Sequence, residues 1–173
     1  MPRVSESISM SSLARAPRAA LPSPPASSRP TSPSDRRSVL DRFRDALKGL
    51  RVLVVDDNAD CLELLCLALT RAGATVRGAE SAAEARASVA SFEPDVLVSD
   101  LSMPGENGFD LVRSVRSTAH GTKERLHAIA LSAHARAEDR ASAYAAGFDA
   151  HLPKPVDLLT LMEALAERAR RGA

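Results

Sequence analysis

From Leu50 onward the chain repeats one pattern five times: a short apolar run, then a longer stretch with apolar residues at helical spacing. Val52 to Val55 are continuously apolar and predict a strand buried on both faces, closing at Asp56-Asp57. Ala59 to Ala72 follow with Leu62, Leu65, Cys66 and Leu69 on one helical face, and Gly73 ends the helix. Thr75 to Ala79 predict a second strand, weakened by Arg77 and Gly78. Ser81 with Glu84 three residues on reads as a capping box for a helix reaching Phe92. Asp95 to Ser99 predict a third strand ending at Asp100. A loop with Pro104, Gly105 and Gly108 leads to a helix over Phe109 to Ser117. Leu126 to Leu131 predict a fourth strand ending at Ser132, and Ala137 to Ala146 a helix closed by Gly147. Asp149 to Leu152 make a short fifth strand before Pro153-Lys154-Pro155. The last helix runs from Asp157 to Arg170 and turns Leu158, Leu161, Met162 and Leu165 to one side. Apolar strands alternating with amphipathic helices predict an α/β fold: a three-layer, doubly wound, five-stranded parallel sheet.

The first 35 residues carry no such period. They are rich in Pro, Ser, Arg and Ala and bury too little apolar surface to offset their ordering entropy, so a disordered tail is expected. Residues 36–49 form a linker in which Val39, Leu40, Phe43 and Leu47 suggest a short amphipathic helix. The domain proper is expected over 50–171. Charge divides at the same place. Residues 1–49 hold nine Lys/Arg against four Asp/Glu, whereas 50–173 hold fourteen against eighteen. The acidic domain argues against direct nucleic-acid binding by the fold. With aromatics at 3%, the core has to be built from Leu, Val and Ala. Cys61 and Cys66 lie five apart on one helix and suggest neither a disulfide framework nor a zinc site. No apolar run reaches membrane-spanning length and the N-terminus lacks a secretory core, so a cytoplasmic protein without a membrane partner is expected.

In open parallel sheets, ligands bind beyond the carboxyl ends of the strands. Here those ends carry Asp56 and Asp57, Asp100, Ser132 and Lys154, which the fold gathers from nearly a hundred residues of sequence. Three carboxylates in one place repel one another unless cations relieve them. Lys154 is one such cation, and a hard divalent ion with oxygen ligands, Mg²⁺, suits the remainder. A carboxylate so neutralised is a competent nucleophile toward a phosphoryl group. Ser132 can hydrogen-bond one phosphoryl oxygen and Lys154 can pair with another. A cis Lys154-Pro155 bond would aim the lysine inward.

The segments VLVVDDN (Val52 to Asn58), DVLVSDLSMPGENG (Asp95 to Gly108), IALSA (Ile129 to Ala133) and LPKP (Leu152 to Pro155) resemble the receiver domains of bacterial two-component response regulators. The match covers about residues 50–170 with every marker in order, and the look is that of receivers attached to hybrid sensor histidine kinases. The resemblance implies a flavodoxin-like fold in which Asp100 is the phosphoacceptor. It also implies that Asp57 binds Mg²⁺ directly and Asp56 largely through water, with the Ser102 backbone carbonyl as a further ligand. Ser132 becomes the switch hydroxyl and Lys154 the phosphate-binding lysine, with His151 and Pro155 as further switch positions. The family usually has Tyr or Phe where His151 stands. Ser102 and His134 occupy positions that tune phosphoryl lifetime. The implied donor is a histidine kinase or histidine phosphotransfer protein, and the implied output is binding to a downstream protein, with homodimerisation open. The chain is expected to be a signalling phosphoacceptor without an output domain and not an enzyme beyond its own phosphorylation and dephosphorylation. Two readings compete. One is a degenerate receiver that only binds partners. The other is a phosphohydrolase, which needs an acid/base Asp where Ser102 stands. There is no Gly-rich phosphate loop for a nucleotide.

Overall fold

The computed structural model describes residues 43–118, 126–133 and 136–172, the side chains of 171 and 172 excepted. Strands and helices alternate strictly through that region. They are β1 (Arg51–Val55), α1 (Ala59–Arg71), β2 (Thr75–Ala79), α2 (Ala82–Phe92), β3 (Val96–Asp100), α3 (Gly108–Arg116), β4 (His127–Ser132), α4 (Ala137–Ala146), β5 (Ala150–Pro153) and α5 (Leu158–Gly172). All pairings are parallel and the strand order is β2-β1-β3-β4-β5. The chain steps from β1 outward to β2 and returns on the other side to β3. The crevice above the ends of β1 and β3 is therefore the topological switch point where such sheets bind ligands.

The continuous apolar strands divide their side chains between two cores. Val52, Val54, Val96, Val98, Ile129 and Leu131 pack with α1 and α5, against Leu62, Leu65, Leu69, Leu161 and Leu165. Leu53, Val55, Leu97, Ala128 and Ala130 face the other way, against Val89 and Phe92 of α2, Leu111, Val112 and Val115 of α3, and Ala143 of α4. Each fully buried Leu or Val contributes roughly 1.5 to 3 kcal/mol of transfer free energy, which fixes the register of the polar strand ends as a by-product. Gly78, which weakened β2 as a sequence signal, has a packing role: a Cβ there would lie 3.3 Å from Cys66 Sγ and from Leu62 Cδ1 of α1. Small size at this position lets the helix close on the edge strand.

Local signals set the helix starts. Asn58 caps α1 by accepting from the Cys61 N–H at 2.9 Å. Ser81 accepts from the Glu84 N–H at 3.3 Å, while the Glu84 carboxylate accepts from the N–H of Glu80 at 2.9 Å, one residue earlier than a standard capping box closes. At the far end of the sheet, Arg116 of α3 reaches the Asp149 carboxylate at 2.6 Å and the carbonyls of Gly147 and Leu126 at 3.0 and 2.6 Å. That network locks α3 to the starts of β4 and β5.

Several expectations are corrected. The amphipathic helix does not extend over Phe43 and Leu47: residues 43–49 run as consecutive turns, with left-handed backbone at Asp45 (φ 60°) and Gly49 (φ 85°). Phe43 and Leu47 are nevertheless buried in the α1–α5 core, and the Leu47 N–H donates to the Ala72 carbonyl at 3.0 Å. The folded unit thus takes in part of the expected linker. β3 ends at Asp100 as expected, β2, α2 and α4 keep their expected bounds, and the remaining element bounds move by one or two residues. The expected disordered tail (1–35), the linker up to residue 42, His120 and His134 lie outside the described residues.

Candidate functional site

β1 ends by placing Asp56 inside and Asp57 outside. Asp56 is fully buried, and Asp57 is exposed at the mouth of the crevice. The Asp56 N–H donates to the Ala79 carbonyl at 3.2 Å, which ties the strand end to β2. Its carboxylate accepts from the Asn58 N–H at 3.0 Å through Oδ1 and from Lys154 Nζ at 2.8 Å through Oδ2. Asp100, 4% exposed, sits one strand over. Its Oδ2 lies 2.8 Å from the same Lys154 Nζ, and its Oδ1 accepts from the Ser102 N–H at 3.2 Å. Ser132, also buried, closes β4 one residue beyond Leu131, the register partner of Asp100. The Lys154 N–H donates to the Ser132 carbonyl at 2.7 Å, and the Lys154-Pro155 peptide is cis. The expected Asp56, Asp57, Asp100, Ser132 and Lys154 therefore do come together.

Electrostatics explains why the lysine is there. Asp56, Asp57 and Asp100 each offer a carboxylate oxygen, all within 4.8 Å of one another. At an effective dielectric near 20, two such charges repel by roughly 3 to 4 kcal/mol. Burial by itself would lower the Lys154 pKa. The hydrogen bonds and charges of Asp100 and Asp56 outweigh it, and the ammonium is held above its ordinary range. Its contribution to stability is therefore complete below the ordinary lysine pKa and disappears only as pH rises through the higher folded value. A single ammonium cannot neutralise three carboxylates. The surplus negative charge, the all-oxygen donor set and the open position beside Asp57 fit a hard divalent cation such as Mg²⁺.

Two features of the site were not visible beforehand. Gly108 reads as a turn residue in sequence, yet a Cβ there would stand 2.3 Å from the Asp100 carbonyl oxygen and 3.0 Å from Leu101 Cα. The start of α3 thus presses directly on the peptide that carries Asp100, and the Gly108 N–H donates to the Leu101 carbonyl at 3.1 Å. The second is an ion pair between Arg86 of α2 and Glu106 of the β3–α3 loop. No local pattern announces a contact across twenty residues.

His151 stands apart from the carboxylates. It pairs with Ala130 in the sheet, while its neighbours Ala150 and Leu152 face the α1–α5 core, so its ring lies on the α4 side. Its Nε2 is buried without a hydrogen-bond partner, as is Oδ2 of Asp139 on α4. Burial lowers the imidazole pKa, and the charge of Arg140 lowers it further. Asp139 and the backbone of His151 pull weakly the other way. A depressed folded pKa means that folding favours neutral imidazole, so this group costs stability as pH falls from the ordinary histidine value toward the folded one. His151→Phe is expected to flatten part of the loss in urea-unfolding free energy between about pH 7 and 5, by less than about 1 kcal/mol because the ring is only partly buried. Identical pH slopes in the two proteins would contradict this.

Against known proteins, the family model described as "Response regulator receiver domain" matches residues 52–166. An uncharacterized 14.6 kDa protein encoded in the sodA1 3' region of Leptolyngbya boryana is 45% identical over 116 residues, covering 67% of this chain and 87% of that protein. Response regulator MprA of Mycobacterium ulcerans is 37% identical over 125 residues, covering 70% of this chain and 52% of its own length. The chain thus spans about half of that regulator. Among solved structures, the chemotaxis protein CheY4 of Vibrio cholerae superposes with a TM-score of 0.64 at 30% identity, covering 68% of this chain and 97% of that one. Among the described residues, no helix is long and apolar enough to cross a membrane.

Proposed function

Because the chain belongs to the response regulator receiver domain family, we propose that it is a phosphorylation-controlled signalling module whose phosphoacceptor is Asp100. The observation that carries this reading is the bridge made by Lys154, whose Nζ lies 2.8 Å from a carboxylate oxygen of both Asp56 and Asp100. The bridge holds Asp100 buried and oriented, with a cation ready for an incoming phosphoryl oxygen.

In the proposed reaction a carboxylate oxygen of Asp100 attacks the phosphorus of a phosphohistidine or of a small phosphodonor. The new P–O bond forms as the bond to the donor nitrogen or oxygen breaks. The leaving group keeps that electron pair, and an imidazole leaving group then takes up a proton from solvent. Lys154 pairs with one phosphoryl oxygen and the Ser132 hydroxyl donates to another. Asp57 and Asp56, with the Ser102 carbonyl and Asp100 itself, would hold Mg²⁺, which supplies charge neutralisation for the transferring oxygens. Exposed Asp57 would be the direct ligand. Buried Asp56, already engaged with Lys154 and the Asn58 N–H, would act mainly through water. The acyl phosphate adds charge and acceptor oxygens only in the modified state, so contacts to Ser132 and Lys154 shift the population toward a second surface arrangement around α4 and β5, where His151 and Pro155 lie.

The proposed donor is a histidine kinase or histidine phosphotransfer protein in the cytoplasm, and the proposed output is binding of a downstream protein. A relay role resembling that of hybrid-kinase receivers fits the same chemistry. Incubation with a phosphorylated histidine phosphotransfer domain, with the label followed on Phos-tag gels, tests the assignment. Transfer that requires Mg²⁺ and fails in Asp57→Asn supports it. Binding of the domain without any transfer would favour a binding-only receiver.

A further inference from the structure

We propose that the ion pair between Arg86 and Glu106 is a positioning device for the metal-binding side of the site, an inference that rests on the Mg²⁺ reading above. The loop from Leu101 to Asn107 carries Ser102, whose N–H already holds Asp100 Oδ1 at 3.2 Å. On its inner limb Leu101 and Met103 are buried and the Gly108 N–H donates to the Leu101 carbonyl, but Ser102 between them is exposed. Its outer limb is a turn, with the Glu106 N–H on the Pro104 carbonyl and Gly105 in the left-handed region at φ 79°. Nothing lies within 4 Å of the place where a Gly105 Cβ would be, so packing does not hold that turn.

Asn107 ties the end of the loop to α3 by capping it, accepting from the Asp110 N–H at 3.0 Å, and the Glu106 carboxylate ties the turn before it to α2 through the guanidinium of Arg86. Arg86 is itself anchored: it follows Ala85, which is fully buried against the sheet, and precedes core-facing Val89 by less than one turn. A helix that contributes no side chain to the acidic cluster thereby holds the loop whose Ser102 backbone borders it. The pair is about one-third exposed, with side-chain accessibilities of 36% and 33%, so its effect on global stability is small. Its proposed effect on the site is indirect, through the backbone that joins Glu106 to the exposed Ser102.

The test compares the full chain with Arg86→Ala, Glu106→Gln and the double variant. Mg²⁺ affinity is measured by calorimetric titration, and hydrogen exchange of the 101–107 amides is measured in metal-free protein. Each single variant is expected to bind Mg²⁺ about tenfold more weakly and to exchange faster in that loop, with an unchanged urea midpoint. The double variant is expected to bind no more weakly than the singles, because the two side chains act as one unit. Single variants within twofold of the wild type, or losses that multiply in the double variant, would overturn the proposal. A wild-type chain that binds no Mg²⁺, or that binds it equally well as Asp57→Asn, would instead remove the reading of the site and this inference with it.

Discussion

Lys154→Met is expected to cost about 3 kcal/mol of stability at pH 7, the lower end of what is lost when one member of a buried ion pair is removed. Methionine keeps most of the apolar stem, so the loss isolates the ammonium. Without it, Asp56 and Asp100 face each other in a crevice where they are 0% and 4% exposed. Two consequences separate this cause from ordinary packing damage. Acidification relieves carboxylate repulsion, so the deficit narrows from pH 7 toward pH 5. Millimolar Mg²⁺ recovers part of it by placing positive charge on the same carboxylates. Urea unfolding at the two pH values, with and without MgCl₂, reads both. In the same variant the rate of phosphoryl acceptance is expected to fall about 10² to 10³-fold, the usual result of deleting one preorganised charge partner of a transition state. A deficit independent of both pH and Mg²⁺ would contradict the electrostatic account.

The second large effect is expected at a residue that carries no functional group. Gly108→Ala has to move either the Asp100 carbonyl or the first turn of α3, since the new Cβ would start 2.3 Å from that oxygen. Neither is free to move: Asp100 pairs in register with Leu131 of β4, and Leu111 and Val112 of α3 are fully buried. Overpacking of this kind costs about 1 to 3 kcal/mol. The displacement falls on the residue proposed to attack phosphorus, where an error near 1 Å costs about 100-fold in rate. Stopped-flow or gel assays of phosphorylation, run at urea-verified folded fractions, separate the two losses. A variant as stable and as fast as the wild type would show that the contact is absent in solution.

These two residues mark how far the sequence carried. Lys154, Asp56, Asp57, Asp100 and Ser132 were legible because each follows an apolar run, and a parallel sheet necessarily brings such ends to one edge. The same runs made the two-sided core legible, since Val52 to Val55 have no polar face to expose. Gly108 was not legible as a contact. A glycine at a helix start satisfies the turn rules equally well whether or not another backbone presses on it. The Arg86–Glu106 pair had no signature because ion pairs between separate elements leave no period. The turns over residues 43–49 misled for a related reason: Phe43 and Leu47 are spaced as in a helix, and both are buried, but Asp45 and Gly49 in left-handed backbone break the helix between and after them. Spacing of four residues reports that two side chains face the same core, and a run of turns can meet that condition too.

The central claim is that Asp100 accepts a phosphoryl group at a site completed by Mg²⁺. Its most direct test is the intact mass of the chain after incubation with a small phosphodonor, with and without Mg²⁺, beside Asp100→Asn. A gain of one phosphoryl group that requires Mg²⁺ and is absent from the folded Asp100→Asn variant is expected. The same gain in the variant, or no gain in a folded wild-type chain from either a small donor or a phosphorylated histidine protein, would contradict it.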